Sequence, residues 1–262
     1  NNFFQFSFTS FAMALTGAFW AYDGWNNLSF VAGEVKDPQR NIPRGLIFGL
    51  LSCTFIYILI NFAFVYLLGM HNLSNSNFIA TDVGSRIWGG AGAIIITIVV
   101  VLTTFGTLNS NVLSTARVTF ALGLSNSIFS KASLIHPILK TPYLALVFNL
   151  VWSILLVLSG SFDILTDMLI FVSWLFYGMS ALGVIILRFR MPDFPRVYKV
   201  WMYPIPTILF IVFTFIYLIL TLYNDINNFN AGRSPIIQSV FGLIICLLGL
   251  PLYWLNKKKQ SL

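Results

Sequence analysis

The sequence predicts an all-α, polytopic membrane protein with seven transmembrane helices, and three observations carry that prediction. Of its 262 residues, 58% are hydrophobic and only 9% are charged, with a mean hydropathy of +0.85. A soluble domain is roughly 25% charged, and disorder requires low hydrophobicity, so both classes are excluded. Apolar runs of about 20 residues, the length a helix needs to cross the hydrocarbon core, recur along the chain. Their Leu, Ile and Phe content lacks the period-two alternation of an outer-membrane barrel.

In order, the spans fall at about 8–33, 45–68, 91–122, 142–159, 163–188, 201–223 and 235–255. Polar connectors separate them: GEVKDPQRNIPR, GMHNLSNSNFIATDVGSR, SNSIFSKASLIHPILK, RFRMPDFPRVYK and YNDINNFNAGRS. Pro43, Pro142 and Pro235 stand at span starts, where the missing N–H costs little. No soluble domain and no low-complexity segment interrupts the series.

Lys and Arg residues set the orientation, because cytoplasmic loops carry the excess. With the N-terminus outside, Lys36, Arg40, Arg44, Lys131, Lys140, Arg188, Arg190, Arg196, Lys199, Lys257, Lys258 and Lys259 share one face. The opposite face carries only Arg86 and Arg233, and Arg117 lies toward the inner end of its span. The C-terminus is therefore expected in the cytoplasm of a multi-pass protein of the cell membrane. The chain starts at Asn1 rather than Met, and no signal peptide is legible. An N-out start without a leader points to further spans upstream.

The net charge of +7 does not indicate nucleic acid, because the basic residues are scattered over connectors and form no groove with interleaved aromatics. Cys53 and Cys246 lie inside apolar runs, and His71 and His136 fall in connectors on opposite faces. No metal site and no cofactor is indicated. An intramembrane hydrolase would need a base beside its nucleophile, and no His lies within a span. A retinal protein would need an intramembrane Lys, and every Lys lies in a connector or tail.

The first span holds one polar interruption, Tyr22-Asp23-Gly24-Trp25-Asn26-Asn27. An Asp at mid-membrane costs about 2.5–3.5 kcal/mol on insertion scales, so such residues face a cavity or a partner. Gly24, flanked by Asp23 and the Asn pair, favours local unwinding. A helix broken at that depth presents carbonyls from its upper half and N–H groups from its lower half. Broken helices in transporters hold zwitterions and ions with these groups. The plainer reading is that Asp23 caps the lower half-helix.

FWAYDGWNNLSFVAGEVKDPQRNIPR resembles the sixth-helix signature of the L-type amino-acid transporter family, in the amino acid–polyamine–organocation superfamily. The resemblance continues through GTLNSNVLSTARVTFALG, the IHP and TP of the following connector, and GLPLYWLNKKK, so it covers essentially the whole chain. It implies that the seven spans correspond to helices six to twelve of a twelve-helix fold built from two inverted five-helix repeats. Residues 1–189 would form the second repeat, and residues 190–262 two accessory helices with a basic tail. The first five helices, including a Gly-rich broken helix for the substrate carboxylate, would be the missing partner. The resemblance implies transport of L-amino acids, as an exchanger of small neutral ones or a proton-coupled permease. The lipid bilayer is the other partner. Animal members pair with a glycoprotein through an extracellular Cys in the missing part, so no accessory subunit is identified here.

Site residues follow from the same match. Trp20 takes the family's aromatic gating position. Ala21, Tyr22 and Asp23 would offer backbone carbonyls to a substrate ammonium, with Gly24 allowing the backbone path. Many relatives carry Gly where Asp23 stands, which puts an essential role for its side chain in doubt. Asn109, in the Gly-x-x-Asn segment of the third span, would approach the substrate or bond between helices. Thr107, Ser110 and Asn111 are read as interhelical hydrogen-bonding residues. Glu34, the acidic residue nearest the membrane in its connector, would pair with a neighbouring basic residue at an inner gate, against the plainer reading of a solvated turn. Lys257 to Lys259 would anchor the last helix at anionic headgroups.

Overall fold

Each of the seven apolar runs contains a helix in the computed structural model, which describes residues 8–30, 32–125, 129–196, 200–251 and 253–254. The helices are α1 (Phe8–Tyr22), α2 (Asn27–Phe30), α3 (Pro38–Asn75), α4 (Ile79–Ser125), α5 (Tyr143–Ser159), α6 (Phe162–Arg190), α7 (Ile205–Asn230) and α8 (Gln238–Leu247). Short 3-10 turns at Ala32–Glu34 and Ser130–Ser133 punctuate the connectors. Helices α3, α4, α6 and α7 are long and apolar enough to cross a membrane, and the chain is a multi-pass membrane protein. Lys199, Lys257, Lys258 and Lys259, which enter the orientation argument, lie outside the described residues.

Two connectors differ from expectation. The stretch GMHNLSNSNFIATDVGSR is almost wholly helical: α3 runs on to Asn75 and α4 starts at Ile79. Its polar side chains bond back into their own helix, Asn72 to the carbonyl of Leu68 at 2.9 Å and Asn75 to that of His71 at 2.9 Å. The turn signal is expressed as kinks instead, at Gly69 (φ 74°) and Gly89 (φ 66°), whose positive φ only Gly adopts cheaply. His71 consequently lies on a helix and not in a loop. In YNDINNFNAGRS, α7 continues to Asn230 because Asp225, 2% exposed, accepts hydrogen bonds from the N–H of Ser239 at 3.0 Å and from its hydroxyl. Pro38, not Pro43, opens α3, and Pro43 sits inside the helix.

The chain divides into two compact units. One comprises Asn1–Asp23, Leu122–Leu134 and Val147–Leu262. Its core joins α1, α6, α7 and α8 around buried Ile170, Phe171, Tyr217 and Leu218. Residues 170, 171, 174, 177 and 178 recur at the spacing of one helical face, which is the face α6 buries. The Phe19 ring lies 4.0 Å from that of Trp174 and 5.0 Å from that of Tyr217, and the Tyr217 hydroxyl hydrogen-bonds that of Thr16 at 2.9 Å. These contacts fix α1 against α6 and α7. At the other end of α6, the guanidinium of Arg196 donates to the carbonyls of Leu187, Met191, Pro192 and Phe194. It gathers the carbonyls at and just beyond the end of α6, where the Leu187 carbonyl also accepts the Met191 N–H at 2.9 Å.

The second unit comprises Gly24–Ala121 and Ile135–Leu146. Here α2 packs on α3 closely enough that a Cβ at Gly45 would stand 3.4 Å from Leu28. Most apolar side chains of α3 and α4 point outward. Water would make that arrangement costly, but lipid tails are as apolar as Leu.

α6 and α7 approach closely at Gly178: a Cβ there would lie 2.8 Å from Thr214 Cγ2, whereas one at Gly183 meets nothing within 4 Å. Gly178→Leu should therefore destabilise by about 1–3 kcal/mol, the usual cost of overpacking, and Gly183→Leu should be near neutral. Thermal unfolding of the two variants in detergent, followed by size-exclusion chromatography, measures the difference.

Candidate functional site

The polar interruption of the first run breaks the helix. α1 ends at Tyr22, residues 23–26 form a turn, and α2 begins at Asn27. Gly24 carries φ 95°, a conformation that costs an L-residue with a Cβ about 1–2 kcal/mol. The last turn of α1 tightens, with the Asp23 N–H donating to the Trp20 carbonyl at 3.1 Å. Beyond the glycine, the Asn27 N–H donates to the Gly24 carbonyl at 3.1 Å, restarting the helix. Gly24 thus turns the backbone off the helical path and redirects the peptide groups on either side of it.

Each side of the break is tied down within its own unit. On the α1 side, Trp20 is 40% exposed and packs edge-on against Phe162 at 5.7 Å. Asp23 is exposed, and its Oδ1 accepts a hydrogen bond from the Tyr177 hydroxyl at 3.3 Å. Its carboxylate is therefore held by α6, not spent on capping α2. Tyr177 lies one turn beyond Trp174, whose ring stands 6.3 Å away, so the aromatic core that seats α1 also delivers the hydroxyl to Asp23. On the α2 side, the Asn27 side chain donates to Asn111 Oδ1 on α4 at 3.2 Å.

Asn111 therefore makes the interhelical bond expected of it. Thr107 and Ser110 do not: their hydroxyls donate to the carbonyls of Thr103 at 3.0 Å and Gly106 at 3.2 Å, within α4. Asn109 is exposed on α4, two residues before Asn111 and so on a different face of the helix. Glu34 closes the 3-10 turn after α2, and its side chain lies outside the described residues. His136 is used structurally, its Nδ1 accepting from the N–H groups of Ile138 at 3.3 Å and Leu139 at 3.1 Å.

Sequence reasoning missed Tyr177, Thr16 and Tyr217. Their signal is faint but physical: hydroxyl-bearing residues on the apolar faces of spans, where an unpaired polar group is costly and a partner is required.

A family profile described as amino acid permease matches residues 1–248. The serine/threonine exchanger SteT of Bacillus subtilis (strain 168) is 34% identical over 255 residues, covering 96% of this chain and 56% of that protein. The large neutral amino acids transporter small subunit 2 of Mus musculus is 32% identical over 246 residues, covering 94% of this chain and 44% of that protein. The b(0,+)-type amino acid transporter 1 of Rattus norvegicus is 30% identical over 251 residues, covering 96% and 49% respectively. The chain spans about half the length of the relatives it matches.

The Asn27–Asn111 pair should couple energetically. A double-mutant cycle of Asn27→Ala and Asn111→Ala, read by thermal stability in detergent, should return about 0.6 kcal/mol, the average for polar pairs between membrane helices. Strict additivity of the two substitutions would show that the bond holds nothing.

Proposed function

We propose, since this chain belongs to the amino acid permease family, that it forms part of a secondary transporter of L-amino acids, an exchanger of small neutral ones working by alternating access. The single observation that carries the reading is the break at residues 23–26, centred on Gly24 with its positive φ. The matched relatives are named as exchangers and transporters of amino acids, which supports the same conclusion.

In this reading the α-ammonium meets backbone oxygens of Ala21, Tyr22 and Asp23, re-aimed by Gly24. Trp20 closes over the bound molecule from the extracellular side. Asn109 contributes a polar contact from α4, and Glu34 pairs with a basic residue at the inner gate. A binding wall made of peptide groups suits a zwitterion, and it neutralises no charged side chain on the substrate. The seven helical runs would all cross the membrane, with residues 1–189 forming the second inverted repeat and 190–262 the accessory pair. The first repeat would supply the opposite wall, and the C-terminus would lie in the cytoplasm.

Each half of the broken helix is fastened to a different packing unit, α1 by Phe19 and Thr16 and α2 by Asn27.

Two outcomes are expected of the complete transporter in vesicles. Serine, threonine or alanine should exchange, and glutamate should not compete; faster uptake of glutamate or of a sugar refutes the substrate class. Gly24→Val should lower uptake about tenfold at matched surface expression, since 1.4 kcal/mol is a factor of ten. Asp23→Asn, which keeps an acceptor for Tyr177, should cost less. The reverse ranking would replace the backbone site with a proton- or cation-coupled role for Asp23. Single-cysteine labelling provides the topology test: a cysteine placed at residues 76–78 should react from outside, and reaction from the cytoplasm overturns the orientation.

A further inference from the structure

A cavity of about 450 Å³ opens at the C-terminal end of α6, away from the break. Its apolar wall is formed by Val184, Leu187, Met191 and Val200, and the guanidinium-bearing residues Arg188 and Arg196 line it as well. Both arginines are half-buried. Arg188 lies over the ring of Tyr203, its guanidinium carbon 3.7 Å from the ring centre. Arg196 is held by the four carbonyls at the end of α6. An aromatic face and neutral carbonyls orient a cation without cancelling its charge. Among the described residues, no carboxylate forms an ion pair with either arginine.

We infer that this cavity is a binding site for an anionic phospholipid, the phosphate held by Arg188 and Arg196 and an acyl chain laid along Val184, Leu187 and Met191. Three features of the site favour that occupant over others. The two positive charges are oriented by neutral partners and, among the described residues, form no ion pair with a carboxylate, so an anion gains Coulomb energy without displacing one. The wall beneath them is apolar, so a free phosphate or a nucleotide would leave it unfilled. The site also lies at the end of a membrane-length helix whose last turn carries Arg188 and Arg190, the level at which headgroups meet protein. Arg196 links the site to the fold, because the same guanidinium that would meet the phosphate closes the end of α6. A bound lipid would therefore stabilise the end of α6.

The inference is independent of the transport reading, and its test does not use uptake. The purified protein is placed in nanodiscs or detergent and titrated with phosphatidylglycerol or, at the same concentration, phosphatidylcholine. Binding is read by native mass spectrometry and by thermal stability. Phosphatidylglycerol should be retained about thirtyfold more than phosphatidylcholine, the factor given by about 1 kcal/mol for each of the two basic residues at a membrane surface. Arg188→Gln should remove most of that preference, and Arg188→Lys should keep it. Val184→Phe, which fills the apolar wall and leaves the charges in place, should lower retention of both lipids. Equal retention of the two lipids overturns the site, as does a preference unchanged in Arg188→Gln. Inorganic phosphate should produce no stabilisation. If it reproduces the effect of phosphatidylglycerol, the site recognises a free anion and the lipid assignment is wrong.

Discussion

The hydrogen bond between Thr16 and Tyr217, with the aromatic contacts of Phe19 around it, is the constraint on which the position of the break depends. A membrane helix gains no hydrophobic energy by leaving lipid for another helix, so α1 needs specific packing and polar contacts to be held in place. Phe19 supplies the packing, against Trp174 and Tyr217. Thr16 supplies the polar contact, where two hydroxyls in an apolar setting satisfy each other at 2.9 Å. Because Phe19 stands four residues before Asp23, seating it also fixes where α1 ends and the turn begins. Trp174 extends the same face to Tyr177, whose hydroxyl reaches Asp23. Core and candidate site are thus one continuous structure on α6.

That continuity explains the tolerance of a carboxylate at the break. An isolated Asp in hydrocarbon is expensive, and it is retained where it meets a cavity or a partner. Asp23 is exposed and accepts from the Tyr177 hydroxyl, so it has the partner. Its side chain serves the seating of the helix end, while the backbone of the same turn carries the proposed recognition chemistry. Charges elsewhere are handled in comparable ways: Asp225 by the hydroxyl and amide of Ser239, Arg196 by helix-end carbonyls, and Arg188 by the face of Tyr203. Each uses a neutral partner, and the two arginines open onto a cavity that could admit a counter-charge.

Composition and hydrophobic run length determined, without coordinates, that this is a helical membrane protein and roughly where its helices lie. Those properties depend on single residues and their near neighbours: backbone groups in lipid must bond within their own segment, so an apolar run of sufficient length has to be a helix. The break was legible for the same local reason, because Asp23-Gly24 followed by paired Asn residues is incompatible with an uninterrupted apolar helix. The family resemblance was legible because its motif is contiguous. Connector ends were less so. Asn72, Asn75 and Asp225 read as loop residues by polarity, yet each finds an acceptor or donor that lets its helix continue. Only the tertiary structure decided which polar residues meet. Tyr177 reaches Asp23 from 154 positions away, Thr16 meets Tyr217 across 201, and Asn111 rather than Asn109 bonds to the restarted helix. Helical spacing can place residues on a common face, but it does not say which helix that face will meet. In lipid that choice rests on close packing and a few polar pairs, neither of which leaves a periodic trace in the chain.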